Sequence, residues 1–297
     1  MTEHRGSEAS APVVAVLGAG VMGAGMVRSL RRAGLPVRVW NRDDAKARAL
    51  TDVGAEAFRS PAEAAAGADV VITMLLHADA VIDAIRGAAP APGTVWLQTA
   101  TVGLDGVERT IAVARELGLE LVDCPVMGTR KPAEEGALVL MASGSESARA
   151  PLAPVFEALG RKTLWLGEAG AGSRLKLACN AWVLMLTTGV AQSIALARGL
   201  GVDPQDFFAV IEGGPLASPY ASVKGVAMSS GEYPVSFALS GALKDSRLIQ
   251  AALQSADVSD RLMAAVSDRL EAAVGLVPDP SAVDVSVVIE GLAAGHR

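Results

Sequence analysis

Residues 13–23 have the sequence VVAVLGAGVMG, in which five apolar residues lead directly into glycines spaced as GxGxxG. An apolar run that ends in this spacing is typical of a strand turning tightly into a helix. Gly18 would permit the turn, Gly20 would let a pyrophosphate approach the backbone, and Gly23 would let the helix pack against the strand. Free N–H groups and the positive dipole at the start of that helix would favour the anion. The motif therefore predicts a dinucleotide site, with a purely structural turn as the alternative.

Short apolar segments alternate with amphipathic helical segments through the first half of the chain, which is the pattern of a parallel sheet covered on both faces. The predicted strands are 13–17, 37–40, 70–74, 94–99, 121–123, 138–142 and 163–166, with helices between them such as 22–33 and 43–51. After Gly167 the pattern changes to helices alone, at 173–200, 204–213, 237–255, 259–274 and 281–294.

This change of pattern predicts an α/β fold with two domains. An N-terminal Rossmann dinucleotide-binding domain is expected at 12–167, after a disordered tail at 1–11, and an all-α C-terminal domain at 168–297. The crevice between the two halves is the expected ligand site.

Composition narrows the class of protein. With 297 residues, of which 51% are hydrophobic and 20% charged, the chain should fold. A net charge of −6 without a Lys/Arg cluster argues against nucleic acid as a partner. Two cysteines and three scattered histidines lack metal-ligand spacing, so we expect no metal site and a reducing, cytoplasmic location. The longest apolar run, 175–197, is interrupted by polar residues, so we expect no membrane span.

The second predicted strand ends in Asn41 and Arg42, about twenty residues after the glycines. An acidic residue at this place would hold the ribose hydroxyls of NAD, whereas a guanidinium can pair with the 2′-phosphate of NADP. The sequence therefore favours NADP over NAD. The alternative is that Arg42 is a surface arginine beside Asp43 and Asp44.

A lysine and an asparagine lie in the apolar helix that opens the second half. Lys176 and Asn180 are four residues apart, so they project from one helical face. Burying an unpaired ammonium is costly, so a lysine in such a helix is expected to be paired or functional. The alternative is a lysine that extends to the surface.

The glycine-rich turn, with Lys and Asn four apart on a later helix, resembles the β-hydroxyacid dehydrogenase family, which includes 3-hydroxyisobutyrate dehydrogenases and glyoxylate/succinic semialdehyde reductases. The resemblance covers nearly the whole chain from Val13. The segment DCPVMGTRKPAEEG at 123–136 looks like the family's substrate-binding loop, and its KPAE portion is most similar to the semialdehyde reductase branch. QTAT at 98–101 stands where the family usually has Asp-x-Ser-Thr, and Lys244-Asp245 resembles the Lys-Asp pair that closes over the cofactor.

The resemblance implies an NADP-dependent oxidoreductase that interconverts a small aldehyde or ketone and its hydroxy compound. A homodimer or higher homo-oligomer is expected, in line with the family, and the partner is a small carbonyl or hydroxy substrate. Lys176 is implied as the general acid/base, and Asn180 as the group that orients the substrate oxygen or the lysine. The residues implied to contact the cofactor are Gly18, Gly20, Val21, Met22, Gly23, Asn41, Arg42, Leu75, Thr101 and Lys244. Those implied to contact the substrate are Met127, Gly128, Thr129, Lys176, Asn180 and Asp245.

Three positions depart from the family pattern. Met127 stands where the family usually has Ser, Gly128-Thr129 replaces Gly-Gly, and Ala100 replaces a further Ser. A site that lacks these hydroxyl donors suits a less polar substrate. Thr129, Arg130 and Lys131 either supply an anion site or lie on an exposed loop.

Two other functions compete with this interpretation. An imine reductase has a similar architecture and also uses NADPH, but those enzymes generally carry Asp or Tyr where this chain has Lys176. A non-catalytic module that kept the fold would be expected to lose the lysine. Phosphogluconate dehydrogenase is also similar, but this chain is short for its larger helical domain.

Overall fold

The structure is a computed structural model that describes residues 11–292. The tail predicted at 1–11 lies outside this range except for Ala11, as do residues 293 and 294 of the last predicted helix. The chain divides into two compact units, Met1–Ser173 and Arg174–Arg297.

The first unit is built on a nine-stranded sheet, in the order β3-β2-β1-β4-β5-β6-β8-β7, with β9 paired to β8. The strands are β1 (Val14–Leu17), β2 (Val37–Trp40), β3 (Glu56–Phe58), β4 (Val70–Thr73), β5 (Val95–Gln98), β6 (Glu120–Asp123), β7 (Val126–Met127), β8 (Leu138–Gly144) and β9 (Gly160–Trp165). Strands β1 to β6 pair in parallel, and β8 runs antiparallel to β6 and β7.

Helices connect the strands of this sheet. They are α1 (Val21–Arg32), α2 (Asp44–Arg48), α3 (Pro61–Ala65), α4 (Ala78–Ala88), α5 (Gly103–Leu117), α6 (Arg130–Glu135) and α7 (Arg149–Leu159), with short 3₁₀ turns at Thr51–Val53 and Glu146–Ala148. The Rossmann-type first domain predicted from the sequence is confirmed.

Strand β1 lies at the centre of the sheet, between β2 and β4. Val14 and Val16 pack into one hydrophobic cluster and Ala15 and Leu17 into another. Burial on both faces explains why this strand is a continuous apolar run rather than an alternating one. The strand order reverses at β1 and β4, and in sheets of this kind ligands bind beyond the carboxyl ends of the strands at that point.

The second unit is helical. Helix α8 (Ala171–Gly199) begins in the first unit, and α9 (Pro204–Ile211), α10 (Pro219–Ser230), α11 (Leu239–Ser255), α12 (Arg261–Val274) and a 3₁₀ helix (Val285–Leu292) follow. Within the described part of this unit, β pairing is limited to an isolated bridge between Ala238 and Asp284. The predicted all-α second domain is confirmed.

Helix α8 is long and apolar enough to cross a membrane, judged by length and composition alone. This is weak evidence, because the core helix of a water-soluble protein passes the same test. The polar residues that interrupt 175–197 were predicted to exclude this segment as a candidate membrane span, and the helix meets the test despite them.

Four segments differ from the sequence predictions. Strands β3 and β7 and helix α10 were not predicted, and the α-helix predicted at 281–294 is wrong, because the chain forms a 3₁₀ helix over Val285–Leu292. The last segment carries a β-branched run, which disfavours an α-helix. Helix α10 had readable signals, since Ser218 caps its start and Gly231 ends it in a left-handed conformation.

Candidate functional site

The glycine turn after β1 has the geometry that the motif predicts. Gly18 has φ +114°, and a Cβ on it would lie 2.3 Å from the carbonyl oxygen of Met74. A Cβ on Gly23 would lie 1.9 Å from the carbonyl oxygen of Gly18, so helix α1 can approach the turn only with glycine there. A Cβ on Gly20 would meet no atom within 4 Å. The backbone at Gly20 therefore faces open space that a pyrophosphate can enter.

The start of helix α1 can accept an anion. Gly20 is its N-cap, no side chain among the described residues caps it, and its first turn carries no acidic residue. Val21 is exposed and Met22 is half-buried. The first N–H groups of a helix have no partner within the helix, and the dipole there is positive. The turn therefore fits the phosphates of a dinucleotide.

Asn41 ties the end of β2 to the glycine turn. Its Oδ1 accepts a hydrogen bond from the N–H of Ala19 at 2.9 Å, and its Nδ2 donates to the carbonyl oxygen of Asp43 at 2.9 Å. The side chain that follows β2 thus lies beside the predicted pyrophosphate site. A carboxylate here would add negative charge at that place.

Arg42 is exposed, and within residues 11–292 it makes no ion pair. The two neighbouring acids are engaged on helix α2: Asp43 accepts from the N–H of Ala45 and lies 4.0 Å from Lys46, and Asp44 lies 2.6 Å from Arg48. Among the described residues the guanidinium thus has no acidic partner and is open to a phosphate, while its exposure equally fits the alternative of a surface arginine beside Asp43 and Asp44.

The ends of β4 and β5 supply the other cofactor candidates of this unit. The Cδ2 atom of Leu75 would lie 3.0 Å from a Cβ on Gly18, so Leu75 packs against the glycine turn. Thr101 is half-buried and follows a fixed loop, in which the Gln98 amide donates to the carbonyl oxygen of Ala100 at 2.8 Å and accepts from its N–H at 2.7 Å. Thr99 donates to the carbonyl oxygen of Thr73 at 2.9 Å, which joins this loop to β4.

The segment interpreted as a substrate loop contains regular structure. Met127 lies in β7, opposite Val139, and is half-buried. Gly128 and Thr129 then lead into α6, which packs against α1 where a Cβ on Gly25 would lie 2.8 Å from the Cβ of Ala133. These contacts hold the segment against helix α1.

The two cations of this segment form ion pairs on the exposed side of α6. The Nε of Arg130 lies 3.0 Å from Glu134, and the Nζ of Lys131 lies 3.8 Å from Glu135, four residues on in each case. Their positive charge is thus shared with neighbouring acids, which favours the exposed-loop interpretation over an anion site.

The second unit brings four of the predicted residues together. Lys176 and Asn180 on α8 are both buried, with 9% and 4% of their surface exposed. The Nδ2 of Asn180 donates to Oδ2 of Asp245 at 2.6 Å, and the Nζ of Lys244 lies 2.8 Å from Oδ1 of the same carboxylate as an ion pair. Asp245 therefore links the asparagine of α8 to the lysine of α11.

Burial lowers the pKa of Lys176 from 10.5 to about 8. The negative charge of Asp245 and the thiol of Cys179 oppose this shift, while the positive charge of Lys244 adds to it. An amine with a pKa near neutral pH can both give and take a proton under ordinary conditions. The cluster has the properties of a general acid/base centre.

Comparison with known proteins agrees with both units. Residues 13–167 match the family described as the NAD binding domain of 6-phosphogluconate dehydrogenase, and residues 170–296 match that described as NAD-binding of NADP-dependent 3-hydroxyisobutyrate dehydrogenase. Glyoxylate/succinic semialdehyde reductase 2 of Arabidopsis thaliana is 32% identical over 95% of this chain and 79% of its own length.

The chain belongs to the β-hydroxyacid dehydrogenase family.

Two further similar proteins support this assignment. NAD-dependent L-serine dehydrogenase of Pseudomonas aeruginosa is 33% identical over 82% of this chain and 85% of its own length. The solved structure of Mycobacterium tuberculosis 3-hydroxyisobutyrate dehydrogenase with L-serine is 28% identical, has a TM-score of 0.83 and covers 96% of this chain and 100% of that one. This β-hydroxyacid dehydrogenase is accordingly an NAD(P)-dependent enzyme that acts on CH–OH groups.

The predicted site residues of this β-hydroxyacid dehydrogenase fall into two groups. The first unit holds the glycine turn, Asn41, Arg42, Leu75, Thr101 and the segment 127–129, whereas the second holds Lys176, Asn180, Lys244 and Asp245. Within residues 11–292 no group of three or more His, Cys, Asp or Glu side chains could hold a metal ion.

One buried acid of this β-hydroxyacid dehydrogenase was not assigned a role from the sequence. Asp123 ends β6, is 0% exposed, and accepts hydrogen bonds from both the N–H and the hydroxyl of Ser173. The partners lie fifty residues apart, so no local spacing reveals the contact. The available signal in the sequence was an acidic residue directly after the apolar pair Leu121 and Val122.

Proposed function

We propose that this enzyme uses NADPH to reduce a small aldehyde or ketone, of the glyoxylate or semialdehyde type, to the hydroxy compound, or catalyses the reverse reaction. The observation that carries the proposal is the Lys176 amine, which is buried on α8 with a pKa of about 8 beside the Asn180–Asp245 pair. The names of the similar semialdehyde reductases support the substrate class.

The proposed chemistry assigns each group of the second unit one task. Bound NADPH supplies a hydride to the carbonyl carbon. The Lys176 ammonium donates a proton to the carbonyl oxygen, and in the oxidative direction the neutral amine takes the hydroxyl proton. Asn180 is oriented by its bond to Asp245 and stabilises the charge that develops on the oxygen. Asp245 also holds Lys244, which we propose contacts the cofactor.

The preference for NADPH over NADH is a further part of the proposal. Its support is the exposed guanidinium of Arg42, which lacks an acidic partner among the described residues, and the neutral Asn41 at the position where NAD-binding folds use an acid. Phosphate is bound well by a forked guanidinium.

The substrate is proposed to be less polar than one whose carboxylate is held by protein hydroxyl donors at positions 100 and 127. Met127 and Ala100 offer no hydroxyl, and Arg130 and Lys131 are paired with Glu134 and Glu135. Because a similar protein is an L-serine dehydrogenase, oxidation of a β-hydroxy acid is an alternative reaction for this enzyme. An imine reductase remains the second candidate because the thioether of Met127 would tolerate an apolar cyclic imine.

A substrate panel tests these proposals. Purified protein is assayed with NADPH and with NADH against succinic semialdehyde, glyoxylate, simple aliphatic aldehydes and a cyclic imine, and in the oxidative direction with L-serine and 3-hydroxyisobutyrate. Aldehyde-dependent oxidation of NADPH supports the proposal. Turnover of the imine with no turnover of any aldehyde contradicts it.

We also propose a homodimer located in the cytoplasm. Helices α8 and α10 expose large apolar side chains that a second copy of the chain would cover, among them Trp182, which is 63% exposed, and Val223 and Val226. The free thiols Cys124 and Cys179 are consistent with a reducing compartment. Light scattering at micromolar concentration tests the dimer, and cell fractionation tests the location.

A further inference from the structure

The carboxylate of Asp123 is buried at the end of β6, in the first unit, and the proposed chemistry makes no use of it. Burying a carboxylate is costly unless hydrogen bonds satisfy it. Here the Oδ1 atom accepts from the hydroxyl of Ser173 at 2.7 Å and the Oδ2 atom accepts from the N–H of Ser173 at 2.8 Å. Both strong partners therefore belong to one residue in the first turn of helix α8.

A second side chain of the same sheet completes this contact. The hydroxyl of Ser143, on β8, accepts from the N–H of Gly172 at 2.9 Å. It lies 3.1 Å from the carbonyl oxygen and 3.3 Å from Oδ2 of Asp123, and it donates its one proton to that residue. Two first-turn N–H groups of α8, which have no partner within the helix, are thus satisfied by residues at the ends of β6 and β8.

The first turn of α8 also packs closely against the sheet at Gly172. A Cβ on Gly172 would lie 2.2 Å from the carbonyl oxygen of Met141 and 3.0 Å from that of Asp123. Strands β6 and β8 thus both donate or accept hydrogen bonds at this turn and lie with their backbone against Gly172. The position of the helix start is therefore set by the sheet.

Lys176 is three residues beyond Ser173 on the same helix. A rise of about 1.5 Å per residue puts it roughly one turn away, so a displacement of Ser173 is carried directly to the lysine. An acid/base group displaced by about 1 Å from its reacting atom can lose about 100-fold in rate.

We propose that Asp123 is a positioning residue for Lys176, which it serves by fixing the first turn of the helix that carries the lysine. The inference rests on the proposed role of Lys176 as the acid/base. Asp123 itself does not touch the substrate in this proposal, so its contribution is geometric rather than a matter of its charge.

The test compares Asp123→Ala with Asp123→Asn. Alanine removes both acceptors, whereas asparagine keeps an acceptor for the N–H of Ser173. We expect Asp123→Ala to lower kcat about 100-fold at saturating NADPH and aldehyde, with the Kd for NADPH changed less than about twofold. Asp123→Asn should recover kcat to within about fivefold of the unaltered enzyme. Hydrogen exchange at the Gly172 and Ser173 amides should speed up in the alanine variant.

Ser29→Ala is the matched control. Ser29 is buried in the same unit and donates to the carbonyl oxygen of Ala158 at 2.6 Å, a contact that does not involve α8. Loss of this bond should lower stability while leaving kcat within about twofold. A fall in kcat as large as that of Asp123→Ala would show a general effect of lost stability and overturn the proposal.

Other outcomes also decide the question. The proposal is overturned if folded Asp123→Ala keeps kcat within about threefold, or if the alanine and asparagine variants lose kcat equally, because charge would then matter rather than position. If Asp123→Ala does not fold, Ser173→Ala carries the test, with an expected loss in kcat of about fivefold and a loss below twofold against it.

Lys176→Ala, assayed in parallel, separates the two claims. If this variant still turns over, the proposed function fails. If it is inactive while Asp123→Ala is active, only the positioning role fails.

Discussion

The Oδ1 of Asn41 accepts the N–H of Ala19 at 2.9 Å, which joins the end of β2 to the middle of the glycine turn. The residue that follows a second Rossmann strand usually selects between the two nicotinamide cofactors through its charge. Here it is neutral and also has a structural task. An experiment can separate cofactor selection from this structural role, because an aspartate at position 41 would change the charge and still accept the hydrogen bond from Ala19.

Asn41→Asp is expected to weaken NADPH and strengthen NADH. The carboxylate keeps the bond from Ala19, repels a 2′-phosphate and can accept from the ribose hydroxyls of NADH, although it loses the bond donated to Asp43. We expect the ratio of the two Kd values to change by at least about tenfold, measured by fluorescence titration of each cofactor. An unchanged ratio would mean that this side chain lies away from the ribose.

Arg42→Ala is expected to weaken NADPH about 10- to 100-fold and to leave NADH unaffected, because a phosphate would lose one or two charge-assisted hydrogen bonds. Arg86→Ala is the control. Arg86, on α4, is also exposed, but it pairs with Glu116 on α5 at 2.6 Å. Equal effects of Arg42→Ala on both cofactors would contradict a contact with the 2′-phosphate.

Lys176→Ala is expected to reduce kcat about 100- to 10,000-fold, the range by which a positioned proton donor accelerates a reaction. The Kd for NADPH should change little, because the glycine turn and Arg42 lie in the other unit. Single-turnover oxidation of NADPH, followed at saturating aldehyde, measures the chemical step. Retention of more than a tenth of the rate would remove Lys176 from the chemistry.

Asp284→Ala is expected to destabilise the helical unit by about 3–5 kcal/mol, because it leaves the buried ammonium of Lys224 without its partner at 2.7 Å. The N–H groups of Ser236 and Phe237 also lose their acceptor. The free energy of unfolding, measured in urea, checks this, with a far smaller change expected for the exposed Arg86→Ala. A change below about 1 kcal/mol would show that water replaces the carboxylate without cost.

The same pair predicts a dependence of stability on acid. Its charge partner and hydrogen bonds lower the pKa of Asp284 from 3.8 to about 2, against the opposing effect of burial. A depressed carboxylate pKa adds stability above pH 3.8 that is lost as the pH falls towards 2. The stability difference between the unaltered protein and Asp284→Ala should therefore shrink over that interval.

The fold could be predicted because its signals are local. The apolar run at 13–17 and the glycine spacing lie within eleven consecutive residues. In the second half, apolar residues recur with the period of an α-helix. Strand β3 could not be predicted, since it has three residues at the sheet edge and begins with the exposed Glu56. This segment is a strand because it pairs with β2, and three residues are too few to carry an alternating pattern that would predict the pairing.

The site could be predicted only in part, for a similar reason. Lys176 and Asn180 are visible because a helix puts them on one face, and the i,i+4 spacing of Arg130 and Glu134 was an available signal for an ion pair. Asp123 acts on Ser173 through a contact between distant segments. Tertiary contacts of this kind cannot be inferred from one sequence.

The pH dependence of reduction should follow the protonation of Lys176. In the proposed mechanism the ammonium is the proton donor, so kcat should be constant below a pH of about 8 and fall about tenfold per unit above it. Asp245 raises the pKa of this amine and Lys244 lowers it, so the two charges can be removed separately. Asp245→Asn should move the midpoint to lower pH and Lys244→Gln should move it to higher pH, both measured as kcat at saturating NADPH and aldehyde. Shifts of one sign for Asp245→Asn and Lys244→Gln would show that the titrating group is not the amine between these two charges.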